Sequence, residues 1–319
     1  MAVRPLPFRL PPFGLGTAPL GNLYAEVPEA EAEAAVAAAL EAGWTYLDTA
    51  PHYGLGLAEE RLGRALAASG LPRDRYVLST KVGRLLEPAD PGEELEPQGF
   101  AAVPRRRRRL DYSADGVRRS LDESLARLGV DRVDIVYVHD PDTPEQQRQV
   151  RAEAYPALAR LREEGVVGAV GVGMNFTEPL AGFVRDLDLD LILLAGRHTL
   201  LDRSALREGL LELCAERGTG VVVGGAFNSG LLADPRPGAT FDYQPADGEL
   251  VEEARRLARA CEAHGVPLPA AALAYPAGHP AVVSVLVGCR TAAEVAANAG
   301  HAATPIPAGL RRELGFYTP

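Results

Sequence analysis

Several residues able to move a proton follow short apolar runs in this 319-residue chain. Asp48 ends Trp44-Thr45-Tyr46-Leu47-Asp48, Lys81 ends Tyr76-Val77-Leu78-Ser79-Thr80-Lys81, and His139 ends Ile135-Val136-Tyr137-Val138-His139. Tyr53 lies five residues beyond Asp48. A phenol with its ordinary pKa of about 10 is a poor acid at neutral pH, but an adjacent ammonium stabilises the phenolate and draws that pKa toward the working range. Asp48 can hold and polarise Lys81, and a neutral histidine can orient a carbonyl or share its proton. The set suits hydride transfer to or from a carbonyl or alcohol carbon, with Tyr53 as acid/base. Taken singly, each residue also has an ordinary reading: Asp48 as a helix cap, His139 as a satisfied core histidine, Tyr53 as packing.

Composition sharpens one of the four. Of 33 basic residues 32 are arginine, and Lys81 is the only lysine. A chain that has replaced lysine by arginine elsewhere keeps it where a compact ammonium must shift a neighbour's pKa, a task arginine does not perform. The net charge of −10 argues against a nucleic-acid or anionic-membrane surface and for small-molecule partners. Cys214, Cys261 and Cys289 are odd in number and widely spaced, which suggests neither a disulfide framework nor a metal site. The N-terminal stretch is broken by proline and has no apolar signal core, so a reducing cytoplasm is the expected location.

The elements that must position these groups are legible as alternation. Strand-length apolar runs cover 13–16, 45–48, 76–81, 133–139, 169–172, 189–194, 220–224 and 282–287. Helical spacing covers 29–41, 59–68, 113–128, 144–164, 202–217 and 249–264. Eight strands alternating with helices predict an α/β chain closed into a (β/α)8 TIM barrel, one domain over 1–319, with chemistry at the C-terminal strand ends. The first strand runs into Pro19 without a G-x-G-x-x-G turn, which disfavours a Rossmann domain. Two insertions, 86–110 and 231–248, read as long loops able to act as lids. The run Arg105 to Arg109 in the first reads as a solvated or acid-paired face.

Asp48-Thr49-Ala50-Pro51-His52-Tyr53-Gly54, Glu59-Glu60-Arg61-Leu62-Gly63, Ser79-Thr80-Lys81-Val82-Gly83, the run from Val133 to His139, and Val287-Gly288-Cys289-Arg290 together resemble the aldo-keto reductase family in order and spacing, over nearly the whole chain. The resemblance implies a catalytic tetrad of Asp48, Tyr53, Lys81 and His139, and NAD or NADP bound across the C-terminal mouth. It implies that Asn175 holds the nicotinamide carboxamide and that the segment Phe227, Asn228, Ser229, Gly230 and Leu231 wraps the pyrophosphate. Gly288, Arg290, Glu294 and Asn298 then fall where the adenosine half is held.

Departures from the commoner family pattern are informative. Met174 stands where a serine is frequent, Ala195 where a glutamine is, and Gly224 where a tyrosine stacks on nicotinamide, so the nicotinamide pocket must be built differently. The segments 223–230 and 194–201 resemble the branch that holds L-fucose, D-threo-aldose and L-galactose dehydrogenases and pyridoxal 4-dehydrogenase, which implies an aldose 1-dehydrogenase forming a lactone. Alternatives are a general aldehyde or ketone reductase, a pyridoxal dehydrogenase, or a cofactor-binding regulatory protein of the same fold. Glu294 falls where an arginine often binds the NADP 2′-phosphate, and a carboxylate there predicts NAD preference. His52, Tyr24 and Arg197 are the substrate-binding candidates.

Overall fold

A computed structural model describes residues 3–317. Eight parallel strands form a closed barrel: β1 (Phe13–Gly16), β2 (Tyr46–Asp48), β3 (Val77–Val82), β4 (Ile135–His139), β5 (Ala169–Met174), β6 (Leu191–Ala195), β7 (Gly220–Gly224) and β8 (Val282–Gly288). Each strand pairs with its neighbours in sequence, and β1 closes the ring on β8 through Phe13 opposite Val285. All eight predicted strands are present, with bounds shifted by a few residues. Most are buried along their whole length, which is why they read as continuous Val, Ile and Leu runs rather than as alternation.

Alternate side chains point inward, and the barrel is filled by Tyr46, Val77, Ile135, Tyr137, Ala169, Leu191, Leu193, Val222 and Leu286. Leu6, Phe8 and Leu10 from the proline-rich N-terminal segment pack against this inner cluster. The opposite faces of the strands meet the helices in a larger outer cluster.

The predicted helices form with three changes. Helix 113–128 begins at Ala114 because the Ser113 side chain is its cap and accepts from Gly116 N–H at 3.0 Å. Segment 144–164 carries a π-turn over Val150–Ala154. Segment 202–217 breaks at Gly209 into Ser204–Arg207 and Leu210–Arg217. The helices Thr177–Asp186, Leu268–Ala277 and Ala308–Glu313 were not foreseen, whereas Ala292–Ala302 is the helix that carries Glu294; Leu268–Ala277 is apolar on almost every face and gives no amphipathic period. Among the described residues no helix is long and apolar enough to cross a membrane.

Both insertions carry structure instead of being plain loops. Arg84–Pro88 pairs antiparallel with Arg106–Leu110, and Thr240–Phe241 pairs with Gln244–Pro245. Strand alternation divides the arginine run. Arg107 and Arg109 pair with Glu87, as an acid-paired face requires, whereas Arg106 reaches inward to Glu60 and the Leu55 carbonyl. Arg108 donates to the Glu96 and Pro97 carbonyls.

Candidate active site

Asp48 and Lys81 face each other because β2 pairs with β3 and side chains two apart on a strand share a face. Asp48 lies opposite Ser79, and Lys81 is two residues further on. Lys81 Nζ donates to Asp48 Oδ2 at 2.7 Å and to the Thr49 carbonyl at 2.9 Å, with both side chains almost wholly buried. Ser79 Oγ donates to the other carboxylate oxygen at 2.6 Å. Ser79 was not among the predicted site residues, although its place two before Lys81 was the available signal.

Tyr53 is set by a close backbone approach. A Cβ on Gly21 would lie 2.7 Å from the Tyr53 carbonyl carbon, and one on Gly54 would lie 2.3 Å from the Gly21 oxygen. Only glycine at both places lets the turn carrying Tyr53 rest on the loop after β1. The Lys81 ammonium then stands 4.6 Å from the centre of the Tyr53 ring. The His139 ring meets the Tyr53 ring edge-on at 5.9 Å.

These contacts alter the expected electrostatics. Burial, with the charges of Asp48 and Asp140 behind it, holds the Tyr53 phenol well above its ordinary pKa, against a smaller opposing effect of Arg84. The hydrogen bonds of Lys81 go to Asp48 and Thr49, so in the free protein the phenol keeps its proton rather than being drawn toward neutrality. Burial also holds His139 well below its ordinary value, reinforced by Arg84, Lys81, His52 and Arg108, so its imidazole is neutral. His139 Nδ1 is buried without a partner, which leaves Nε2 as the nitrogen facing the cleft.

The cleft above the tetrad encloses about 280 Å³. Tyr53, Lys81, His139, Asn175 and His52 line it, joined by residues the sequence reading did not name: Arg84, Gln98, Phe100, Asp140 and Tyr243. Gln98 and Phe100 come from the first insertion, Arg84 from the strand Arg84–Pro88 that leads into it, and Tyr243 from the second insertion. Small residues, Gly173 and Ala195, line the cleft beside Asn175, and behind them a Cβ on Gly224 would meet only ordinary contacts at 3.7 Å, so packing does not demand glycine there. A flat nicotinamide beside the Asn175 amide fits the cleft there.

Other predicted positions are placed differently. Tyr24 and Arg197 do not line the cleft. The Tyr24 hydroxyl is turned to Ser229 and Thr240, and Arg197 binds Asp202 and Asp242 while Nε donates to the Asn175 carbonyl. Arg197 therefore ties the second insertion to the loop that carries Asn175. In the loop after β7, Asn228 Nδ2 donates to the Gly196 carbonyl and the Leu231 side chain is fully buried in a satellite core, so both hold the loop. The N–H groups of Asn228, Gly230 and Leu231 close turns within it, with Phe227 supplying the acceptor for Gly230. The Ser229 hydroxyl accepts from Tyr243 N–H at 3.1 Å. Gly288 is exposed at the end of β8. Glu294 neither repels from open solvent nor stands free: its carboxylate takes Arg290 Nη2 at 2.7 Å, Nε at 3.0 Å and the Arg290 N–H at 2.8 Å. Asn298 donates to Cys289 Sγ.

The motif from Glu59 to Gly63 is structural. Fully buried Glu59 accepts from Thr80 and Arg127, and Arg61 donates to Leu20 O, Asn22 Oδ1 and Val27 O, fastening the loop after β1 to the helix Leu57–Ser69.

Residues 12–309 match the aldo/keto reductase family. The chain is 45% identical to D-threo-aldose 1-dehydrogenase of Pseudomonas sp over 313 residues, spanning 96% of this chain and 93% of that one. It is 41% identical to pyridoxal 4-dehydrogenase of Microbacterium luteolum, over 89% of this chain and 87% of the relative, and 32% identical to L-galactose dehydrogenase of Arabidopsis thaliana, over 89% and 82%. An aldo-keto reductase of Bacillus halodurans in its holo form superposes with a TM-score of 0.73 at 27% identity, over 99% of this chain and 95% of that one. With a barrel closed as β1 to β8 and a buried lysine-carboxylate pair beneath a tyrosine, the chain belongs to the aldo/keto reductase family and is an oxidoreductase that works with a nicotinamide cofactor.

Proposed function

We propose that one barrel domain, acting in a reducing cytoplasm, carries an NAD-dependent aldose 1-dehydrogenase whose catalytic residues are Asp48, Tyr53, Lys81 and His139. The observation behind this reading is the Lys81 ammonium fixed over the Tyr53 ring by Asp48 and Thr49, in a chain 45% identical to D-threo-aldose 1-dehydrogenase. The nicotinamide, when bound, supplies the hydride acceptor. Asn175 would hold its carboxamide and Ser229 its pyrophosphate, with Gly288, Arg290, Glu294 and Asn298 toward the adenosine end. Once the Tyr53 phenol has released its own proton to solvent, its oxygen takes the proton of the C1 hydroxyl of a cyclic sugar as hydride departs from C1 with its electron pair toward the nicotinamide, and a lactone remains. Lys81 stabilises the tyrosine oxygen in its anionic form, and neutral His139 Nε2 donates to or accepts from the reacting oxygen. His52 forms part of the wall that the sugar meets.

NAD is favoured over NADP because Glu294 already pairs the Arg290 guanidinium through Nε and Nη2, leaving no unpaired cation from that pair for a 2′-phosphate. The test is the initial rate of NAD+ and NADP+ reduction by L-fucose, D-arabinose, L-galactose, D-xylose and pyridoxal. Fast NAD+ reduction by one sugar is the expected result, and silence across the sugars overturns it. A second reading, reduction of an aldehyde by the same site, draws on the Tyr53 phenol held in its protonated, proton-giving form.

A further inference from the structure

Asp140 follows His139 at the end of β4 and is built into the cleft. Its backbone stands in the left-handed region at φ 43°, uncommon for a residue with a side chain. Three contacts hold it there: Asp140 N–H donates to the Gly173 carbonyl at 2.9 Å, and the Tyr112 hydroxyl donates to the carbonyls of His139 at 2.8 Å and Asp140 at 2.9 Å. This turn aims the carboxylate back over the strand end instead of onward into the loop.

Its two oxygens are used unequally. Oδ2 accepts from Arg84 Nη2 at 2.9 Å and lies 3.4 Å from His139 Nε2. Oδ1 has no hydrogen-bond partner among the described residues and is not sealed from solvent, so it is an acceptor open to the cleft. The surrounding wall is rich in donors, with Arg84, Lys81, Gln98 and Tyr53, and Asp140 is its ionisable acceptor. The 3.4 Å between His139 Nε2 and Asp140 Oδ2 sets the carboxylate directly beside the imidazole, so a group next to the oxygen that faces His139 comes within reach of Asp140.

We infer that Asp140 is a specificity-determining residue that accepts a hydrogen bond from the hydroxyl on the carbon next to the reacting one, so that the site selects 2-hydroxy carbonyl compounds and their 1-aldose counterparts over simple aldehydes. The inference rests on the carbonyl–alcohol chemistry proposed above and adds which part of the substrate is read. An acceptor placed for a hydroxyl penalises a substrate lacking it, because bound substrate shuts water out of the cleft and the partly buried carboxylate is then left without that partner.

The experiment compares kcat/KM for NADH-dependent reduction of lactaldehyde and of propanal, which differ by that hydroxyl. The native enzyme should prefer lactaldehyde by about 10- to 100-fold, the range for a hydrogen bond to a charged group. Asp140→Asn, whose side chain tolerates the left-handed backbone, should bring the ratio to within about threefold of one. Turnover of both aldehydes at equal efficiency by the native enzyme overturns the inference while leaving the carbonyl chemistry standing. An equal loss on both substrates in Asp140→Asn, with the ratio kept, also overturns it, because Asp140 would then act only by positioning His139. Silence with both aldehydes removes the chemistry on which the inference rests. Should Asp140→Asn not fold, the native ratio is followed against pH. Burial raises the Asp140 carboxyl to about 6, with Asp142 adding and Arg84 and Lys81 opposing, so preference for lactaldehyde should fall as pH drops through that value. The Tyr53 and Tyr243 phenols that also feel Asp140 stay protonated across this window. A ratio flat from neutrality to acid overturns the inference.

Discussion

Lys81 Nζ lies 4.6 Å above the Tyr53 ring while its hydrogen bonds go to Asp48 Oδ2 and the Thr49 carbonyl. The ammonium therefore reaches the phenol through its charge, and its position depends on a carboxylate that is itself almost completely buried.

Lys81→Met should lower kcat by about 10²-fold or more, the range for loss of acid–base assistance. It also strands Asp48, whose other oxygen holds Ser79, and an uncompensated buried charge costs about 3–5 kcal/mol. Thermal melting of Lys81→Met against Asp48→Asn/Lys81→Met separates the two effects: the double variant should melt higher than the single one and remain equally inactive. Recovery of activity in the double variant would contradict the role given to Lys81.

Glu294→Arg should move cofactor choice toward NADP, raising the NADP to NAD ratio of kcat/KM by about 10-fold, one charge-assisted contact's worth. The substitution both releases Arg290 from its three hydrogen bonds and adds a second cation beside it. An unchanged ratio would place the 2′-phosphate away from the helix Ala292–Ala302.

Stability should fall as the solution is acidified from neutrality. Burial depresses His198 to about 4, His52 to about 2 with help from Arg84, and His139 well below its ordinary value. Each is lowered on folding, so the unfolded chain takes up the proton first as pH falls below about 6.5, and stability is lost from there downward. Asp140 opposes this, since its folded carboxyl at about 6 binds a proton before the unfolded one does. His279 is lowered by burial as well and Asp142 is raised like Asp140, so four histidines outweigh two carboxyls. Both ring nitrogens of His198 are buried without partners, so His198→Phe should melt near the native temperature at neutral pH and lose less on acidification. Parallel melting curves for the two proteins from pH 7 to pH 5 would refute this assignment.

Gly83→Ala should disable the site without touching it. A Cβ at Gly83, whose φ is 102°, would lie 2.3 Å from Tyr112 Cε1, and the Tyr112 hydroxyl holds the carbonyls of His139 and Asp140. A loss of kcat/KM of about 10-fold or more is expected, the scale on which misplacement at a remote position acts. Circular dichroism would show the fold retained, and full activity would rule out the clamp.

The alternation of apolar strands and helices carried the barrel, because burial on both sides leaves a compositional trace within each segment. Asp48, Lys81 and His139 were recognisable at strand ends for the same reason. The helix Leu268–Ala277 and both hairpins were not, since the one lacks a period and the others depend on cross-strand partners. Tyr24 and Arg197 were expected at the substrate, yet neither lines the cleft: Tyr24 is half exposed and Arg197 is taken by Asp202 and Asp242.

By itself the sequence determined the strand ends, the single lysine and the motifs that together mark the family. Tertiary structure decided what surrounds them. It brought Phe100 and Tyr243 from two insertions to one cleft, turned Asp140 back beside His139, and bound Glu294 to Arg290. The reason is physical: periodicity records which residues of a local element meet the core, whereas a polar side chain at a loop takes its partner from whichever distant segment folds within hydrogen-bond reach, and no spacing in the chain records that choice.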